Sequence, residues 1–247
     1  MSNNKVKLSV KNICHTFEDN EKVLKDISFD INEFETVAII GPSGVGKTTL
    51  FNIISGLILA SNGEVFLEKE NISGLTSKVS YMLQKDLLLP FRTVFENISL
   101  PLEIKGHNKE YIKEHIEKHL EEFGLKGLEH KYPKDLSGGQ RQRAALLRTY
   151  MVSNKVILLD EAFSSLDYIT KNKMYEWYKN LKNELKLTCL LITHDIDEAL
   201  FLADKIYILL GKPATLKYKF DIPKNKDILS DEIIKIKKEI LNVLENK

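Results

Sequence analysis

Gly41-Pro42-Ser43-Gly44-Val45-Gly46-Lys47-Thr48 constrains this chain more than any other stretch. It follows Val37-Ala38-Ile39-Ile40, a continuous apolar run that suits a strand covered on both faces, as in a parallel sheet. Behind it, Thr49-Leu50-Phe51-Asn52-Ile53-Ile54 reads as a helix with Leu50, Ile53 and Ile54 on one face. A strand, a glycine loop, a Lys-Thr pair and a helix in that order make a P-loop in its proper context. The glycines let backbone N–H groups curl round a polyphosphate, and the helix N-terminus adds partial positive charge. Lys47 is placed to neutralise the β- and γ-phosphates, and the Thr48 hydroxyl to ligate Mg²⁺.

The rest of the chain reads as one α/β unit. Its 247 residues suffice for one large domain or a domain with a subdomain. A formal charge of +1 leaves no overall field to attract nucleic acid. No run approaches the roughly 18 apolar residues of a membrane span. Met1-Ser2-Asn3-Asn4-Lys5 lacks the apolar core of a signal peptide, so a soluble cytoplasmic chain is expected. Cys14 and Cys189 are isolated, match no metal spacing and are expected to stay reduced.

Leu8-Ser9-Val10 opens a strand, and Ile27, Phe29 and Ile31 alternate with Ser28 and Asp30 as in a half-exposed antiparallel strand. Phe17 lies between them, a packing or a stacking aromatic. Val65-Phe66-Leu67 and Val79–Leu83 read as further strands, the second ending at Gln84. Leu87-Leu88-Leu89-Pro90-Phe91 is an apolar loop that either enters the core or waits for a partner. Residues 93–105 and 108–123 look helical, the second with Ile112, Ile116, Leu120 and Phe123 on one face.

Leu136-Ser137-Gly138-Gly139-Gln140 precedes a further helix, with Ser137 as its N-cap. Its N–H groups make a second anion site, far in sequence from the first, and a plain cap would not need Gly-Gly-Gln. Lys155–Leu159 is a buried strand ending in Asp160 and Glu161. Asp160 sits where a P-loop enzyme holds Mg²⁺, and Glu161 beside it is suited to take a proton from an attacking water. Ser165-Leu166-Asp167 turns into a helix over 170–186, with Met174, Trp177 and Leu181 toward the core. Thr188–Thr193 is another buried strand, and His194 at its carboxyl end joins the site. Lys205–Leu210 reads as the last core strand, and a helix from Ser230 carries Ile233, Ile236, Ile240 and Leu244 as its apolar stripe.

The set of P-loop, Gln84, Leu136–Gln140, Val156–Glu161, Ser165–Asp167 and His194, in this order, resembles the ATP-binding cassette (ABC) ATPases. The resemblance covers nearly the whole chain. Leu88–Val94, Thr193–Asp204 and the helix after Asp221-Ile222-Pro223 are similar to the nitrate/sulfonate/taurine importer group. Ala162, Ser165 and Gln140 depart from that group's commoner Pro, Ala and Met, and Phe17 stands where Tyr is usual.

The resemblance implies a P-loop NTPase (RecA-like) core with an antiparallel β subdomain and an inserted α-helical subdomain. The core would comprise 1–84 and 151–220, the helical part 85–150 and a C-terminal extension 221–247. It implies ATP and Mg²⁺ as cofactors, with Phe17 on adenine and Gly41, Pro42, Ser43, Gly44, Val45, Gly46, Lys47, Thr48 and Thr49 around the phosphates. Thr48, Gln84 and Asp160 would serve the metal. Glu161, His194 and Gln84 would act on the γ-phosphate and its attacking water. Ser137, Gly138, Gly139, Gln140 and Asp167 would meet the nucleotide of a second copy, so two chains head to tail would sandwich two ATP. A membrane permease would be the working partner and an extracytoplasmic solute-binding protein an indirect one, placing the chain on the cytoplasmic face of the membrane. Two other readings share these motifs: the ATPase of an exporter, and a soluble ABC protein outside transport.

Overall fold

The computed structural model describes residues 5–153, 155–223 and 230–245. The N-terminal stretch 1–4, read above for a leader, lies outside them, as do the last two residues of the C-terminal extension.

The strands are β1 (Val6–Thr16), β2 (Lys22–Asn32), β3 (Thr36–Ile40), β4 (Asn62–Leu67), β5 (Glu70–Asn71), β6 (Ser80–Met82), β7 (Ile157–Asp160), β8 (Cys189–Thr193), β9 (Lys205–Gly211) and β10 (Ala214–Asp221). They form one sheet in the order β5-β4-β1-β2-β10-β9-β3-β8-β7-β6. The half from β9 through β3, β8 and β7 to β6 is parallel. The β2-β1-β4-β5 half is antiparallel.

The parallel strands are buried on both sides, which is why their sequences read as unbroken apolar runs. On β3, Val37 and Ile39 face one core with Leu50 and Phe51 of helix α1 (Lys47–Ile54). Ala38 and Ile40 face the other. In β2 the buried Ile27, Phe29 and Ile31 alternate with exposed Ser28 and Asp30, as their spacing predicts.

The second core is closed by α2 (Val94–Ile104), α3 (Lys109–Leu120), α4 (Gly138–Tyr150) and α5 (Tyr168–Leu185). Each has a side-chain cap where its sequence offers one: Thr93, Asn108, Ser137 and Asp167. Ile112, Ile116, Leu120 and Phe123 are buried, as are Met174 and Leu181. Trp177 packs at the edge, its indole N–H donating to the Glu122 carbonyl and its ring beneath Arg143.

Two features differ from the sequence reading. The chain after Gly211 is not without sheet structure: β10 pairs antiparallel with β9, and its Ala214↔Leu24 bridge joins the parallel half to the antiparallel half. The mixed polar pattern of Ala214–Asp221 hides this strand, because little of it is buried. The 87–91 loop also divides between its two alternatives. Leu88 enters the core, whereas Leu87 and Phe91 keep 50% and 73% of their surface in solvent.

Helix α6 (Ile196–Leu202) follows β8 directly, and α7 (Asp231–Glu245) lies against it. Ile233 and Ile240 of α7 are buried in the main core, and Ile236 and Leu244 pack beside them. Lys237 pairs with Asp197 across the same contact at 2.5 Å.

Candidate functional site

The carboxyl ends of β3, β7 and β8 lie side by side, with Ile40 opposite Thr193 and Asp160 opposite Ile192. This register brings the P-loop, Asp160-Glu161 and His194 to one rim of the sheet. An open cleft of about 780 Å³ lies there, lined by Phe17, Ser43, Gly44, Gly46, Lys47, Thr48, Thr49, Gln84, Asp160 and Glu161.

The loop can follow this path only with its glycines. Gly46, the residue before α1, has φ +108°, and a Cβ on it would meet Val23 Cγ1 at 2.8 Å. A Cβ on Gly41 would lie 2.5 Å from the Leu209 carbonyl oxygen. Helix α1 has no side-chain cap, so its first turn offers its N–H groups to the cleft. Lys47 is nearly buried, and its Nζ donates to the carbonyls of Gly41 (2.8 Å) and Pro42 (2.9 Å).

Asp160 is buried at the end of β7 and accepts a hydrogen bond from the Tyr81 hydroxyl at 3.0 Å. Burial pushes its carboxyl above the usual range, aided by the Glu161 charge, while Tyr81, Lys47 and Thr48 pull the other way. Burial and the same carboxylate drive the Tyr81 phenol far above its ordinary value. A buried carboxylate beside the Thr48 hydroxyl and an anion cradle is the hard oxygen donor set that suits Mg²⁺ bound together with a polyphosphate. The residues fit that ion.

Glu161 leaves the strand with φ +47°, a left-handed conformation uncommon outside glycine, fixed by its N–H donating to the Ile192 carbonyl at 2.9 Å. The turn aims its carboxylate into the cleft. Gln84 Nε2 donates to Glu161 Oε2 at 2.9 Å, and His194 Nδ1 lies 3.0 Å from Oε1. Three residues from three segments thus meet at one carboxyl group.

The remaining sequence candidates lie apart. Ser137 and Gln140 form a reciprocal capping box at the start of α4: Gln140 N–H donates to Ser137 Oγ, and Ser137 N–H donates to Gln140 Oε1 at 2.9 Å. The expectation that a plain cap has no use for Gln140 is therefore corrected, since its side chain closes the cap. Asp167 caps α5 by accepting from the N–H groups of Ile169 and Thr170, each at 3.1 Å. Gly138 opens into a second cleft of about 860 Å³, with Ser165, Leu166, Gln84, Glu161 and His194. No P-loop residue lines that cleft. Pro42 and Val45 turn away from the first cleft, and Val45 belongs to the core under β3.

Tyr81 has no role in the sequence reading, although it binds Asp160. One apolar-flanked tyrosine in a three-residue strand carries no signal of that role; only the β6–β7 pairing places it there.

Comparison with known proteins agrees with this geometry. The ABC transporter family profile matches residues 24–164. The chain is 42% identical over 206 residues to the formylaminopyrimidine import ATP-binding protein ThiZ of Halalkalibacterium halodurans, covering 83% of this chain and 80% of that one. It is 36% identical over 228 residues to the aliphatic sulfonates import ATP-binding protein SsuB of Bacillus cereus, covering 91% and 89%. Among solved structures, the dimeric MJ0796 bacterial ABC transporter cassette superposes with a TM-score of 0.74 at 30% identity, covering 87% of this chain and 99% of that one. The same cassette in a post-hydrolysis state bound to ADP and Pi gives 0.73 at 29%, again over 87% and 99%. With the P-loop, the acidic end of β7 and the capped Ser-Gly-Gly helix on one frame, the chain belongs to the ABC transporter family as an ATP-binding subunit, an ATPase that works with ATP and Mg²⁺.

Proposed function

We propose that this chain is the ATP-hydrolysing subunit of an importer, acting as a head-to-tail dimer on a separate membrane permease. The observation that carries the chemistry is Glu161, turned out of its strand and held by both Gln84 and His194.

The P-loop N–H groups and Lys47 bind the triphosphate and fix its direction, so that Lys47 exchanges the Gly41 and Pro42 carbonyls for phosphate oxygens. Thr48 and Asp160 would hold Mg²⁺, with Gln84 beside them, and the ion would supply charge neutralisation at the phosphates. Phe17, on the cleft wall, offers an aromatic face to the adenine. Glu161 takes the proton of the attacking water as general base, a role worth about 10²–10⁴-fold in rate. Gln84 orients that water, and His194 holds the γ-phosphate edge while fixing the Glu161 carboxylate.

Ser137, Gly138, Gly139, Gln140 and Asp167 complete the site of a second copy. The placement of Gly138 on a cleft that no P-loop residue lines supports this, as does the dimeric MJ0796 cassette. Hydrolysis removes the phosphate that bridges the two copies, and they part.

The permease docks in an apolar groove of about 330 Å³ lined by Leu83, Leu87, Leu100, Pro101, Ile104 and Val152. Gln84 begins the loop that borders it, and Arg148 of α4 pins that loop by donating to the carbonyls of Leu87 (2.8 Å) and Asp86 (2.6 Å). A change at the γ-phosphate therefore has a short path to the groove. The permease would hold the chain at the cytoplasmic face of the membrane; among the described residues no helix is long and apolar enough to cross it. The import names of the ThiZ and SsuB relatives, formylaminopyrimidine and aliphatic sulfonates, support a small anion or vitamin precursor as cargo; an extracytoplasmic solute-binding protein would deliver it.

Glu161→Gln tests the reading. Turnover is expected to fall at least about 100-fold with ATP affinity retained, and the ATP-loaded variant to elute as a dimer. Wild-type turnover would remove Glu161 from the role. Co-purified membrane subunits, followed by uptake assays with sulfonates and a formylaminopyrimidine, test the importer assignment.

A further inference from the structure

We propose that Glu198 is a positioning residue of the ATPase site, holding through Thr193 the turn that presents His194 to Glu161. This rests on the reading of His194 and Glu161 given above. Glu198 lies on the first turns of α6 with none of its surface exposed, in a protein interior where an uncompensated carboxylate is costly. The Thr193 hydroxyl donates to its Oε2. That same hydroxyl accepts from the Asp195 N–H at 3.0 Å. One hydroxyl thus ties together the residue before His194, the residue after it and a buried carboxylate.

The two sides of the turn are fixed independently. Asp195 caps α6, accepting from the N–H groups of Asp197 (2.9 Å) and Glu198 (3.1 Å), and its other oxygen pairs with Lys171 of α5 at 2.6 Å. The Tyr175 hydroxyl of α5 and Glu198 Oε1 are both buried, and the phenol faces that carboxylate. The Glu198 charge also pushes the Tyr175 phenol upward, second to burial. The carboxylate accordingly sits between α5, β8 and α6. His194 itself is exposed, and its ring meets the Glu161 carboxylate. Its direction is set by the backbone on either side, and Glu198 is the buried group that fixes that backbone through a side chain. A purely local cap would need only Asp195; Glu198 adds the link to the Thr193 hydroxyl at the end of β8.

Thr193→Val removes the hydroxyl without changing shape, and Glu198→Ala removes its acceptor. Each is expected to lower kcat for ATP hydrolysis by about 10-fold or more, leaving the KM for ATP and the affinity for a fluorescent ATP analogue unchanged. Thr193→Ser and Glu198→Gln, which keep the hydrogen bond, are expected to stay within about threefold of wild type. The Thr193→Val/Glu198→Ala double variant should be no slower than the slower single one, since both break one unit. Wild-type kcat in folded Thr193→Val, a rise in KM in place of a fall in kcat, or multiplying losses in the double variant would overturn the proposal. His194→Ala separates the two levels. If it abolishes turnover while Thr193→Val does not, only the role of Glu198 falls; if it turns over like wild type, the reading of the site beneath falls with it.

Discussion

Burial pushes the Glu198 carboxyl up to about 7, against the pull of the Thr193 hydroxyl, Lys171 and His194 and with the help of Asp195. The sign of the consequence follows from linkage. A carboxylate whose folded value exceeds its unfolded one makes the folded state hold its proton longer, so the group costs nothing below about pH 4.5 and its full amount above about pH 7. Glu198→Gln removes that cost while keeping an acceptor for Thr193. Its thermal stability should match wild type near pH 5 and exceed it at pH 8, the gap widening by about 1–3 kcal/mol. Melting curves across that range check it, and a constant gap would show that Glu198 does not titrate in the fold. The Asp160 carboxyl is raised for the same main reason, but beside Lys47 and Thr48, so its burial prepares a cation site where that of Glu198 prepares a joint.

Among the elements, α7 is the one whose role its own sequence leaves open between docking and display. Its stripe is buried against the body: Ile240 has no exposed surface, Ile233 almost none, and Lys237 reaches Asp197 on α6. Ile240→Ala should therefore cost about 2–4 kcal/mol in denaturant unfolding, whereas a surface-displayed stripe would lose less than about 0.5 kcal/mol. Because α6 opens at Asp195, loosening α7 reaches the His194 turn through one short helix. The capping boxes of α2 and α4 illustrate a different balance. Thr93 with Glu96, and Ser137 with Gln140, satisfy the first-turn donors from within the chain. Helix α1, which starts at Gly46 without a side-chain cap, leaves those donors for phosphate.

For the molecule as a whole, the parallel half of the sheet joins two neighbouring functions. The parallel half carries the hydrolytic rim, and the loop after β6 runs from Gln84 to the apolar groove. Leu87→Glu with Phe91→Glu, both at exposed positions, should abolish recruitment to permease-containing membranes while leaving folding and ATP affinity intact. Vesicle flotation with and without the permease measures this. Normal recruitment of the folded double variant would remove the loop from the docking surface, and Leu88, already in the core, serves as the contrasting position whose charging unfolds the protein.

The phosphate loop, the buried parallel strands and the acidic end of β7 were legible in the sequence by itself, because each rests on local physics: glycine at Gly46, an unbroken apolar run, a carboxylate just past it. The helices were legible from their apolar spacing, and α4 also from its cap Ser137. Strand β10 was not, since its pattern is mostly polar and its identity comes from pairing with β9 and touching β2 at Ala214. Nor was the partition of Leu87, Leu88 and Phe91, which depends on how the loop meets α4 through Arg148. The meeting of Gln84, Glu161 and His194 at one carboxyl group, and of Tyr81 with Asp160, was decided by tertiary structure. Hydrogen bonds spanning 77 or 79 residues are set by strand order and register, and residues so far apart leave no periodic trace in the chain.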